Sequence, residues 1–385
     1  MKELLGAFAS QLPRSHHFEC PTMDVPLYPL RFQPIFQRYL WGGHRLRSLL
    51  GKPTGPEPCA ESWEICDRPN RQSIVCAGPL QGRSLHQLLQ EYGPRLIGSG
   101  ASEWAERASP TATPEPGAKV DSVHRGAGRA SPVVQPAGRF PLLVKFLDAA
   151  QTLSVQVHPD DAQAAAWNLP DSGKTEAWVV LAADPGSLIY AGLRPGVGRE
   201  DLLQAVEQGT CAELLHRFEP KPGDCIFLPA GTVHALGAGL LVAEIQQNSD
   251  ITFRLYDWDR RGPDGKPRPL HIQEALAVID FNRGPVFPQQ PRPLSQKEGV
   301  QLVECPYFTI HRWVIQNTHY VGGDDRFHIV LFLEGSGTVE KDPAGGPWGA
   351  GTSWLIPACL GPVAVTPAEG SLTFLDVFPP SIPSE

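Results

Sequence analysis

The stretch GDCIFLPAGTVH, residues 223–234, decides how the rest of the chain is read. Gly223 admits a tight turn. The run that follows is short, apolar and bounded by turn residues, as a buried strand is. Pro229, Ala230 and Gly231 then turn the chain back into a second strand, at whose start His234 faces inward. An inward imidazole there is either a metal ligand, since zinc often takes histidine, or a core histidine satisfied by its neighbours. The same glycine, five residues, proline spacing recurs at GTSWLIP, residues 351–357, so one strand–turn unit occurs twice. In the second copy Cys359 replaces Gly231 and Pro362 replaces His234.

Three further segments concentrate polar residues near strands. In LSVQVHP, residues 153–159, alternation puts Gln156 and His158 on one face and Val155 and Val157 on the other. That pattern suits a strand lining a polar interior, and equally a solvent-facing edge. In GKTEAW, residues 173–178, Lys174 and Glu176 precede an apolar strand; Glu176 is a solvated charge or joins the two histidines in a metal set. Downstream, Glu244 precedes Arg254, which sits beside Phe253 in an otherwise apolar strand. Such a guanidinium needs an anion, either a phosphate or a carboxylate such as Asp250 or Asp257.

Composition bounds the class. In 385 residues, 41% are hydrophobic and only 19% charged, with 38 Gly and 40 Pro. That favours a turn-rich protein of many short strands with a sizeable core. The net charge of -8 and pI of about 5.9 argue against a nucleic-acid partner. No apolar run approaches the roughly 18 residues of a membrane-spanning helix, and the N-terminus reads poorly as a signal peptide. The eight cysteines form no CxxC pair, so reduced thiols and a cytoplasmic location are expected.

The pass along the chain gives strands from Leu27, a helix in SLHQLLQEYG capped by Ser84, and an Ala/Ser/Pro/Gly-rich disordered insertion at 99–138. Helical segments are expected in DAQAAAWN, HIQEALAVID and REDLLQAVEQGTCAELLHRFE, the last broken near Gly209. A final run of strands spans about Val303 to Phe378.

The spacing in 223–234 resembles the second motif of the cupins, small β-barrels with a ligand pocket at the mouth. QVHPDD, GKTEAW, PAGTVHALGAGLLVAEIQQNSD and FRLYDW, in that order, with YLWGG and AESWEI upstream, resemble type I mannose-6-phosphate isomerases of the short bacterial form. The likeness runs over residues 27 to 380, the insertion excepted. It implies a mainly β fold of two cupin-type, jelly-roll barrels with a few short helices. The divisions are a flexible extension at 1–26, a catalytic cupin domain at 27–285, and a C-terminal barrel without a metal site at 286–385.

The resemblance further implies an aldose–ketose isomerase interconverting mannose 6-phosphate and fructose 6-phosphate through an enediolate. Zinc, one per chain, falls to His158, Glu176 and His234, with Gln156 as the fourth ligand. Arg254, Lys174 and Glu244 fall to the catalytic pocket. Arg254 serves developing charge or the phosphate, Lys174 the phosphate or a proton, and Glu244 or a deprotonated water the carbon base. The phosphosugar is the expected partner, with no membrane partner, and the chain is expected to be a monomer or weak dimer. Two alternatives stand: a sugar-binding cupin without catalysis, and an iron or manganese cupin enzyme. The latter usually carries H-x-H where this chain has Gln156-x-His158.

Overall fold

The computed structural model describes residues 25–100, 138–262 and 264–380. The expected N-terminal extension, apart from residues 25 and 26, and the expected insertion, apart from its ends, lie outside the described residues. The fold is mainly β. Two large sheets pack face to face, and a smaller sheet lies beyond each.

The first large sheet has the strand order Ile35–Gln37, Glu61–Ile65, Leu142–Ala149, Leu240–Gln247, Glu176–Ala183, Cys225–Leu228, each strand antiparallel to its neighbours. Its small partner runs Phe253–Tyr256, Val155–Val157, His234–Leu236, Ile189–Leu193, Leu215–Phe218. The second large sheet runs Arg292–Pro293, Gly299–Glu304, Thr309–Ile315, Leu372–Phe378, His328–Glu334, Ser353–Ile356. Its small partner runs His319–Val321, Val363–Pro367, Ser336–Val339, Trp348–Gly349. The repeated strand–turn unit therefore occupies the same edge in both sheet pairs: Cys225–Leu228 in one, Ser353–Ile356 in the other.

The period of two explains the layering. Val144 and Phe146 face the shared core between the large sheets, with Ala243, Ile245, Ile310, Ile329 and Val377. Their neighbours Leu147, Trp178 and Val242 face the interior of the first pair. Val155 and Val157 pack outward against the helices Arg199–Glu207 and Ile272–Val278, with Leu202 and Leu276. The valine face of the QVH strand is thus buried, which removes the solvent-edge alternative and turns Gln156 and His158 inward.

Local signals hold in several places. Leu85–Tyr92 is a helix whose N-cap Ser84 accepts from the Gln87 amide at 3.2 Å, while Gln87 answers the Ser84 amide at 2.9 Å. Asp161–Ala166 and Ile272–Val278 are helical as expected. The segment around Gly209 splits as expected into Arg199–Glu207 and a 3-10 turn at Cys211–Leu214. It departs at its end: Leu215–Phe218 is a strand, because pairing along Ile189–Leu193 outweighs local helix propensity. A short helix at Arg45–Ser48 falls between the expected strands, where no element was expected.

Candidate active site

The strand Glu176–Ala183 lies between Leu240–Gln247 and Cys225–Leu228, so Glu176 is fixed opposite Gln246 and Leu228. His234 pairs with Gln156 across the small sheet. The two sheets therefore close on one another at this point. His234 Nε2 lies 3.1 Å from Glu176 Oε1, and His158 Nε2 lies 3.5 Å from Oε2. His158, Glu176 and His234 are all buried, and their ligand atoms lie within 4.8 Å of one another.

Each imidazole is oriented from behind. His158 Nδ1 donates to the Ile251 carbonyl at 2.7 Å, and His234 Nδ1 donates to the Thr232 carbonyl at 2.9 Å. A carbonyl only accepts, so both rings carry their proton on Nδ1 and turn the Nε2 lone pair inward. Burial, reinforced by the Lys174 charge, pushes His158 well below its ordinary pKa, which keeps it neutral. Burial opposes the charge on Glu176, yet the Lys174 ammonium holds its carboxyl well below the usual range. Neither Glu176 oxygen has a hydrogen-bond donor in good geometry. Lys174 Nζ, 2.9 Å from Oε2 and 3.3 Å from His158 Nε2, supplies charge there.

A buried carboxylate met by one ammonium and faced by two imidazole lone pairs is a donor set able to hold a cation. Zinc bonds of about 2.1 Å in a tetrahedron place neighbouring ligand atoms roughly 3.4 Å apart, close to the separations seen. The residues present fit the ion. Gln156 is next to the set: its Nε2 lies 3.3 Å from His234 Nε2 and its Oε1 accepts from Ser154 at 3.3 Å. Turning the amide over presents the oxygen instead.

A cavity of about 210 Å³ opens beside this cluster. Gln156, Lys174, Glu244 and Arg254 all line it, so the structure brings every sequence-predicted site residue to one place. Glu244 is held by Trp178 Nε1 at 2.9 Å and Lys145 Nζ at 3.1 Å. Arg254 donates to Ser154 Oγ at 3.3 Å and to the Pro269 carbonyl at 2.9 Å. Asp257 instead pairs with Arg260 and Arg268, so among the described residues Arg254 makes no ion pair.

Sequence reasoning passed over Glu61 and Lys145, which line the same cavity. Burial raises the Glu61 pKa, while Lys145, 3.9 Å away, opposes the rise. Burial disfavours charge on Lys145, but Glu244, Glu61 and Asp250 outweigh it and hold the ammonium above its ordinary pKa. The available signal was the strand ESWEI, polar on both faces: Glu61 and Trp63 line the cavity, while Ser62 and Glu64 meet each other and Lys52.

Two family descriptions match the chain: "Phosphomannose isomerase type I, catalytic domain" over residues 127–179, and "Mannose-6-phosphate isomerase, cupin domain" over residues 299–378. The chain is 32% identical to mannose-6-phosphate isomerase ManA of Bacillus subtilis over 339 residues, covering 86% of this chain and 94% of that one. It is 33% identical to the mannose-6-phosphate isomerase of Streptococcus mutans over 311 residues, covering 81% and 86%. A crystal structure of the mannose 6-phosphate isomerase from Bacillus subtilis superposes with a TM-score of 0.73 at 29% identity, covering 91% of this chain and 99% of that one. A solved mannose 6-phosphate isomerase bound with zinc and yttrium shares the fold at 18% identity and a TM-score of 0.65, over 92% of this chain and 100% of that one.

Proposed function

The chain belongs to the type I phosphomannose isomerase family, and we propose that it interconverts mannose 6-phosphate and fructose 6-phosphate through an enediolate, with one zinc ion per chain. The observation that carries this is the buried Glu176 carboxylate, without a well-aligned hydrogen-bond donor among the described residues and faced by His158 and His234 at the edge of a charged cavity. His158, Glu176 and His234 would hold the ion, with Gln156 as fourth ligand. Zinc supplies Lewis-acid polarisation of the sugar oxygen.

The remaining roles fall to residues of the cavity wall. Lys174 now neutralises Glu176; with a cation held by that carboxylate, its ammonium would be available to the cavity. Glu244, or a water it deprotonates, serves as the base at carbon; the Trp178 indole and the Lys145 ammonium orient its carboxylate. Arg254, without a carboxylate partner among the described residues, meets negative charge on the substrate.

We read each sheet pair as one cupin barrel, a catalytic one within 27–285 and a structural one within 286–385; their common strand order supports this. The seven described cysteines are free, five of them buried, which fits a reducing cytoplasm. No helix among the described residues is long and apolar enough to cross a membrane. The exposed large apolar side chains, such as Leu40, Leu49, Phe287 and Tyr320, are spread along the chain, which fits a monomer or weak dimer.

The test is a coupled assay of mannose 6-phosphate conversion on purified protein, after chelation, and after zinc is restored. Activity should fall on chelation and return with zinc. A protein that retains zinc and converts no mannose 6-phosphate overturns the reading.

A further inference from the structure

The cavity is charged unequally at its two ends. Around Lys145 stand Glu61, Glu244 and Asp250. Around Arg254 stand Arg268 and Arg260, with Asp257 as their one close carboxylate. Burial and these two like charges push the Arg254 guanidinium down from its ordinary pKa. A basic cluster with one acid to three guanidinium groups, opening into a half-enclosed cavity, is matched by a dianion.

The two neighbouring arginines are not equivalent. Arg260 is tied to Asp257 by its side chain and does not line the cavity. Arg268 does line it. Its Nε donates to Asp257 Oδ2 at 2.7 Å and its Nη2 to Oδ1, so the buried Asp257 grips the guanidinium along one edge. Nη1 keeps no protein partner among the described residues, and the side chain is 39% exposed. Arg254 is held likewise by Nε and Nη1, which leaves Nη2 open. The segment that carries Arg268 is fastened to the Arg254 strand through the His271 amide, which donates to the Arg254 carbonyl at 2.8 Å.

We propose that Arg268 is a phosphate-binding residue of this cavity, gripping the 6-phosphate together with Arg254 while Asp257 positions it. The proposal rests on the sugar-phosphate reading above and adds to it the residue that distinguishes a phosphorylated sugar from a neutral one. A planar guanidinium anchored on one edge offers its free edge to phosphate oxygens at little further entropic cost.

The test uses the full-length, zinc-loaded protein and three variants, Arg268→Gln, Arg268→Lys and Arg261→Gln. Arg261 is exposed, lies on the same loop and is not on the cavity, so it controls for net charge. Arg268→Gln should raise KM for mannose 6-phosphate, and the inhibition constant of inorganic phosphate, by the same factor of about 10–100. Its kcat and zinc content should hold. Arg268→Lys should fall between, and Arg261→Gln should change neither constant. An unchanged phosphate inhibition constant in Arg268→Gln, or a loss confined to kcat, overturns the proposal. Calorimetric titration of inorganic phosphate into wild type and Arg268→Gln separates the two readings. Should the wild type convert no mannose 6-phosphate, weaker phosphate binding by the variant still upholds Arg268, and equal binding removes it.

Discussion

Where the first sheet pair carries Lys145, Glu176 and Glu244, the second carries His311, His328 and Asp376 in the same register. Glu176 pairs with Leu228, just before Pro229, and His328 pairs with Ile356, just before Pro357. Glu244 stands opposite Lys145 as Asp376 stands opposite His311. The difference is in how polar groups are satisfied. In the first pair each imidazole donates backwards to a carbonyl, and its lone pair faces a carboxylate whose oxygens have no well-aligned hydrogen-bond donor among the described residues. In the second, His328 Nδ1 meets Asp376 at 2.8 Å and Nε2 meets Asp324 at 3.1 Å, and Arg326 closes on Asp324 as well. That network is complete in itself. Pro362 stands just before the returning strand Val363–Pro367, where the first pair has His234, and Trp313, Phe332, Trp354 and Phe374 pack the interior of the second pair. One scaffold thus holds an open polar site and a closed one.

The largest effect should come from removing the charged group at the matched positions Glu176 and His328, one at a time. Glu176→Gln should lose bound zinc and lower kcat/KM by roughly 10³-fold. His328→Gln should keep both, yet lower the unfolding free energy by about 3 kcal/mol, because it leaves buried Asp376 without its cation. Metal analysis, turnover and urea titration on both variants check this. Zinc lost from His328→Gln would break the comparison.

A pH profile of stability sharpens it. Burial disfavours charge on His328, but Asp376 and Asp324 outweigh burial and raise its pKa to about 9. The folded value lies above the unfolded one, near 6.5. Its contribution is therefore present in full below about pH 6.5 and is lost as pH rises through about 9, a span of roughly 3 kcal/mol. Urea midpoints between pH 6 and 10 should fall across that window in wild type and stay flatter in His328→Gln. Equal slopes would remove His328 as the source.

Much of the site was legible because its residues lie on strands, where a period of two fixes facing. Val155 and Val157 forced Gln156 and His158 inward, and the turn at 229–231 set where His234 begins its strand. The helix behind Ser84 was legible from its cap and its Leu85, Leu88, Leu89 face. What escaped depends on partners distant in sequence. Nothing local marks Lys145, whose role comes from Glu244 across one strand pairing and Glu61 nearby on another. Nothing local separates Arg260 from Arg268, which differ only in where the loop returns. Leu215–Phe218 was misread as helix because its pairing with Ile189–Leu193 cannot be seen from within the segment.

The smallest effect concerns the two turn glycines, Gly223 docked on a strand of the second large sheet and Gly351 on the segment after Arg45–Ser48. Gly223 has φ +90° and its carbonyl accepts from Arg312 Nη1 at 2.8 Å. Gly351 has φ +85° and packs against Leu50. Alanine at either place costs about 1–2 kcal/mol for the left-handed backbone. At Gly223 the added Cβ meets the tip of the Arg312 side chain at 2.9 Å, which can shift at the expense of its hydrogen bond to the Gly223 carbonyl. At Gly351 it meets the Leu50 carbonyl oxygen at 2.8 Å, and backbone cannot yield as a side-chain tip does. Gly351→Ala should therefore cost about 1 kcal/mol more than Gly223→Ala, read as a lower urea midpoint at unchanged slope. Equal losses would mean that the segment around Leu50 moves as freely as the Arg312 side chain, and that the two turns are docked with the same tolerance.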